Sequence, residues 1–107
     1  MPLYQPLVFD NDIERSSVAD CVDSTVGAVI TKIINTNDGR RGLTFKNLGL
    51  TTVYFDQKDD VSATSHKFSL NAGGFYELPF LNEPYTGDWW AISSSGSNLI
   101  AIRETVV

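Results

Sequence analysis

The residues with the most chemistry in this 107-residue sequence are few and scattered. His66 is the single histidine and Cys21 the single cysteine. A nucleophile, base and orienting acid must meet for triad chemistry. Ser65 and Ser69 flank His66, but they sit in or beside a polar run that reads as a solvated loop. Cys21 reads as a small apolar residue rather than a nucleophile. Metal sites of the His/Cys kind need more ligands than one of each. Asp56, Asp59 and Asp60 offer oxygens to calcium, but without the spacing of an EF-hand loop they read as a charged loop. Glu77 and Glu104 are the one pair of carboxylates that a glycosidase reading would use, and nothing in the sequence fixes their separation. At the end of the last strand, Glu104 reads as a salt-bridge partner. Gly73-Gly74 lacks the lysine and the strand-loop-helix context of a phosphate loop and reads as a hairpin turn. The sequence thus implies no catalytic residue, no metal, no cofactor and no enzyme.

Binding chemistry is better represented. Trp89-Trp90 lies near Tyr76 and Tyr85. Neighbouring residues of a strand point to opposite faces, so one tryptophan is expected in the core and the other on the surface or under a partner. Tyr85, Trp89, Trp90 and the paired Arg40-Arg41 are candidate partner contacts, because aromatic and arginine side chains are enriched at protein interfaces. An aromatic platform would also suit a sugar, which keeps a carbohydrate-binding module open. The amino-terminal segment supplies a second candidate surface. Leu3, Tyr4, Leu7 and Phe9 are apolar, and Pro2 and Pro6 oppose a helix and favour an extended arm. Such an arm lies either along its own domain or on another chain.

Charge narrows the partners. The net charge is −5, and residues 1–25 hold Asp10, Asp12, Glu14, Asp20 and Asp23 against Arg15 alone. An acidic chain without a Lys/Arg run is poorly suited to nucleic acid or to anionic membranes. A protein partner is the better expectation. No apolar run approaches the roughly 20 residues of a membrane helix, and the first ten residues lack the pattern of a secretory signal. A lone cysteine fits synthesis in a reducing cytoplasm.

The elements that must position these residues are strands. Residues 1–24 read as arm and linker, and 25–107 as one β-domain. Thr25–Ile34 reads as a long strand. The turn cluster Asn35–Gly42 leads into Leu43–Lys46, which alternates apolar and polar. After Gly49, Thr51–Phe55 is rich in β-branched and aromatic residues, and the two runs read as a hairpin at the centre of the domain. Shorter strands follow at Lys67–Leu70, Phe75–Phe80, Asp88–Ser93 and Leu99–Glu104, separated by Gly- and Asn-rich turns. Such spacing predicts an all-β fold, an antiparallel β-sandwich of jelly-roll-like or small-barrel form with an extended amino-terminal arm. The expected core is Ile30, Leu43, Phe45, Val53, Phe55, Phe68, Leu70, Leu78, Ile92, Ile100 and Ile102.

Several blocks carry a family resemblance. They are Arg40-Arg41-Gly42-Leu43-Thr44-Phe45-Lys46-Asn47-Leu48-Gly49, Thr51-Thr52-Val53-Tyr54, Phe68–Gly74, Tyr85-Thr86-Gly87-Asp88, Ala91–Ser97 and Arg103-Glu104. Together, over Thr31–Glu104, they resemble small β-sandwich virion proteins of tailed bacteriophages. His66-Lys67 and Trp89-Trp90 depart from that pattern. The resemblance implies a non-catalytic particle component: head decoration (cement) protein first, tail, neck or fibre part second. It implies the major capsid protein or another virion protein as partner, a homo-oligomer with a trimer ahead of a dimer, and residence in the virion after synthesis in the host cytoplasm.

Overall fold

A computed structural model describes residues 17–18, 23–78 and 84–106. All regular elements among them are strands: β1 (Ser17–Val18), β2 (Ser24–Val26), β3 (Thr31–Ile34), β4 (Arg40–Asn47), β5 (Val53–Asp56), β6 (Phe68–Leu70), β7 (Phe75–Leu78), β8 (Trp89–Ser93) and β9 (Asn98–Val106). They form two antiparallel sheets. In one, β9 lies between β4 and an edge shared by β1 and β2, and β7 flanks β4. In the other the order is β3-β8-β5-β6. The chain therefore changes sheet at almost every connection. The orders β2-β9-β4-β7 and β3-β8-β5-β6 are those of a jelly roll, eight strands in two facing sheets.

This topology corrects three expectations. Thr25–Ile34 is not one strand: it breaks at Gly27–Ile30, and β2 and β3 belong to different sheets. β4 and β5 are not a hairpin, because β4 pairs with β7 and β9 while β5 pairs with β6 and β8. Gly73-Gly74 is not a hairpin turn either, since β6 and β7 also lie in opposite sheets. The cause is common to all three. A short loop between alternating strands looks alike in sequence whether it folds the chain back within a sheet or carries it across to the facing one. Ser17–Val18, expected within the linker, extends the edge of the first sheet against the end of β9. The expected arm, Cys21 and the carboxy-terminal part of the Phe75–Phe80 strand lie outside the described residues.

The core is aromatic and spans the sheets. Phe45 on β4 stacks on Phe55 of the facing sheet at 5.3 Å between ring centroids. Phe68 stacks on Phe55 at 4.9 Å and on Tyr76 at 4.2 Å. Trp89 meets Phe45 edge-on at 5.4 Å. Offset stacks and edge contacts are the geometries that aromatic quadrupoles favour. Leu43, Phe45, Val53 and Phe55 share this one core, as expected, but across the two sheets rather than on paired strands. On β8 the inward parity is Trp89, Ala91 and Ser93, so Ile92 faces outward, against expectation. With Trp89 turned inward, a period of two decides every other residue of the strand. Ile33 replaces Ile30, which sits in the crossing loop, and Val26 and Val61 join the buried set. Phe68 and Leu78 pack against the core from partly buried positions.

Truncating the central ring should register clearly. Phe45→Ala is expected to cost about 3–5 kcal/mol, read as a lower denaturation midpoint with the β-type circular dichroism spectrum retained. A midpoint unchanged by the substitution contradicts this packing.

Candidate interaction surface

The jelly-roll topology sends alternate loops to opposite ends of the sandwich, and the two ends differ in chemistry. Loops 35–39 and 57–67 and the described residues 84–88 share one end. They include Asp38, Lys58, Asp59, Asp60, Lys67 and Asp88. Loops 27–30, 48–52, 71–74 and 94–97 share the other end and contain no charged residue.

At the charged end Arg40 is fully buried. Its Nε donates to Glu104 Oε2 at 2.6 Å, Nη1 to the carbonyl of Gly87 at 2.8 Å, and Nη2 to the carbonyl of Asn35 at 2.7 Å. Asn37 Nδ2 donates to the second oxygen of Glu104 at 3.3 Å. One guanidinium thus holds the β3–β4 and β7–β8 connections to β4 and β9. The Glu104 salt bridge agrees with its reading from sequence. The expected role of Arg40 as a partner contact does not survive its burial. Trp89, 1% exposed, likewise belongs to the core. Trp90 faces outward, and the Lys32 ammonium lies 5.3 Å from its ring centroid. Lys32 also pairs with Asp88 at 3.4 Å. Tyr85 donates its hydroxyl to the carbonyl of Asp88 at 2.8 Å. Arg41 Nη1 folds back onto the carbonyl of Arg40 at 3.0 Å. The five expected contacts therefore divide between the interior, the charged end and the outer face of the second sheet.

The groups considered for catalysis are dispersed. His66 Nδ1 lies 3.0 Å from the carbonyl oxygen of Ser62, and the ring packs on Tyr54 at 4.8 Å. Glu77 and Glu104 point to opposite faces of their sheet: Glu77 is exposed and Glu104 buried. Among the described residues no three His, Cys, Asp or Glu side chains gather in a metal-holding group.

The charge-free end is built differently. Its loop backbones are satisfied by neutral side chains and by one another. Asn47 Nδ2 donates to the carbonyls of Thr51 at 2.7 Å and Leu70 at 3.1 Å, while Asn47 Oδ1 accepts from Gly49 N at 2.9 Å. Asn98 Oδ1 accepts from Thr51 N at 3.1 Å, and its Nδ2 donates to Thr51 Oγ1 and Ser93 Oγ, both at 2.7 Å. Gly49 is required here by contact: a Cβ at that position would stand 1.9 Å from Asn98 Oδ1. Beside the exposed neutral side chains Asn71, Ser94, Ser95 and Ser97, this end carries large apolar ones: Leu50 is 90% exposed, Val29 77% and Phe75 64%, and Leu48 and Leu99 are also exposed. Leu48 N donates to the carbonyl of Leu99 at 2.9 Å, and Phe75 and Ala101 both pair with Lys46 one row further along the outer face. Of the large exposed apolar side chains of the described residues, Tyr85 alone lies elsewhere. Such gatherings mark interaction surfaces on soluble domains. Sequence reading passed over these five residues. The signal was present in Leu48-Gly49-Leu50 and in four loops without a charge, but only the topology shows that those loops share an end.

No protein-family model, curated protein or solved structure matches this chain.

Two predictions follow from the charged end. Arg40→Ala leaves Glu104 buried without its cation and is expected to cost about 3–5 kcal/mol, measured by chemical denaturation. A variant as stable as the parent contradicts a structural role for Arg40. The second concerns acid. The hydrogen bond from Arg103, with that from Ile102 N, holds Asp23 below its ordinary pKa. Burial pushes Asp88 upward, but hydrogen bonds from Thr36 and Lys32 outweigh it and its net shift is downward. A carboxylate depressed in the folded state stabilises the fold above its unfolded pKa of about 3.9, and that contribution is lost as pH falls through the lower folded value. The denaturation midpoint should therefore fall below about pH 4, and Asp23→Asn with Asp88→Asn should flatten the fall. An equally steep fall in the double variant contradicts the assignment.

Proposed function

We propose that this chain is a structural protein of a tailed-phage virion, a decoration or cement protein that joins the capsid and stabilises the head across subunit joints. The charge-free apolar end of the jelly roll is the observation that carries this reading. Interface cores are depleted of charge and rich in apolar and aromatic side chains. A surface whose loops are already hydrogen-bonded to one another loses little freedom on docking. The dispersal of His66, Glu77 and Glu104 is consistent with a protein that binds rather than transforms. The sequence resemblance supplies the particle. Cement action needs only modest affinity per copy, because many copies engage one lattice and a copy held at several points rarely leaves. A tail, neck or fibre position in the same virion would use the same surface. The carbohydrate-binding alternative loses support, because Trp89 is in the core and Lys32 lies over Trp90.

The test is occupancy on particles. Leu50→Asp combined with Val29→Asp replaces two side chains whose burial contributes roughly 1.5–3 kcal/mol each. Capsids incubated with the variant should retain at least about tenfold less of it than of the parent, since about 1.4 kcal/mol is a factor of ten. Equal occupancy removes the charge-free end from the proposal.

A further inference from the structure

We infer that the charge-free end receives the amino-terminal arm of a second copy of this chain, so that copies join head to tail. The inference rests on reading that end as an assembly surface and names its occupant. Three observations carry it.

The first is direction. β1 runs antiparallel to β9, with Ser17 opposite Val106 and Val18 opposite Thr105. Ser17, the amino-terminal residue of β1, therefore lies at the Val106 side, the charged end. The apolar loops lie at the Asn98 side, with Val26 opposite Asn98. The second is length. An extended chain rises about 3.3 Å per residue. Sixteen residues precede Ser17, and at that rise the eight to fourteen residues separating Phe9 and Leu3 from it span at most about 26 to 46 Å, enough to reach a neighbouring copy. The third is chemistry. Leu3, Tyr4, Leu7 and Phe9 form an apolar cluster of a size to cover Leu48, Leu50, Phe75 and Leu99, and Pro2 and Pro6 limit the conformational freedom that docking must remove. Asp10, Asp12 and Glu14 follow the arm, and the exposed cation among the apolar rows is Lys46, opposite Phe75. The acidic segment of one copy thus meets a basic group beside the docking site of the next. A head-to-tail contact is heterologous, and it closes into a ring when the rotation between copies permits.

The experiment uses the full chain without particles and reads mass by light scattering. The parent is expected at a discrete multiple of its 11.8 kDa chain mass. Leu50→Asp blocks the end and leaves the arm. A variant with Leu3, Tyr4, Leu7 and Phe9 all changed to Ser blocks the arm and leaves the end. Each alone should run as a monomer with the parent's circular dichroism spectrum. Mixed in equal amounts they should form a dimer and nothing larger, because one intact arm then meets one intact end. A monomeric parent, an arm variant that still associates, or a mixture that stays monomeric overturns the inference. So does an arm variant that is monomeric and loses denaturation midpoint at low concentration, which is the result expected if the arm folds back on its own copy. A monomeric parent whose Leu50→Asp variant still loses capsid occupancy assigns the end to the capsid and refutes the arm as its occupant. Unchanged capsid occupancy of Leu50→Asp refutes the functional reading instead.

Discussion

A jelly roll that changes sheet at nearly every connection must satisfy its loop backbones without strand ladders, and this constraint shapes the rest of the molecule. Buried peptide groups left without partners are costly. Here the buried polar side chains, Arg40, Asn47, Ser93, Asn98 and Glu104, lie toward the ends of the strands, where the crossings occur. Arg40, Asn47, Ser93 and Asn98 take up loop carbonyls or amides that the sheets cannot reach, and Glu104 holds Arg40 and Asn37 in place. The aromatic stack of Phe45, Phe55, Phe68, Tyr76 and Trp89 fills the middle, where no such demand exists.

The two ends meet the same demand by different means, and the difference has consequences for function. At one end a guanidinium and a carboxylate do the pinning. A buried ion pair must be well hydrogen-bonded to offset its desolvation, and Asn37 and the loop carbonyls of Asn35 and Gly87 supply those bonds. At the other end amides and hydroxyls suffice. The loops there close on themselves without charge, which leaves the outer surface free to be apolar. An apolar end held rigid by neutral hydrogen bonds is suited to permanent burial against another chain. A charged, solvated end is suited to facing water. The proposed role in a particle shell uses that polarity.

The amino-terminal segment fits the same division. Strand pairing at Ser17–Val18 fixes where the chain enters the sandwich and in which direction it arrives. In the inferred assembly, this entry point at the charged end leaves the apolar residues that precede Ser17 available to the opposite end of another copy.

The sequence by itself determined the class of fold. Period-two alternation in β4 and β5, β-branched runs and Gly/Asn punctuation specify strands and their turns, and they place Leu43, Phe45, Val53 and Phe55 in one core. Those signals are local, and local chemistry was enough. It also sufficed to mark Glu104 as a salt-bridge partner and one member of Trp89-Trp90 as buried. Which tryptophan turned inward was decided by tertiary packing, because alternation fixes relative parity and not its absolute sense. Likewise, Arg40 at a turn looks like any solvated arginine until β9 brings Glu104 beside it. Whether Leu48–Thr52 and Asn71–Gly74 fold back or cross over depends on which partner strands win, a competition among residues far apart in sequence. The charge-free end exists only as a result of that competition: Val29, Leu48, Leu50, Phe75 and Leu99 belong to separate segments, and only the pairing of the sheets gathers them at one end.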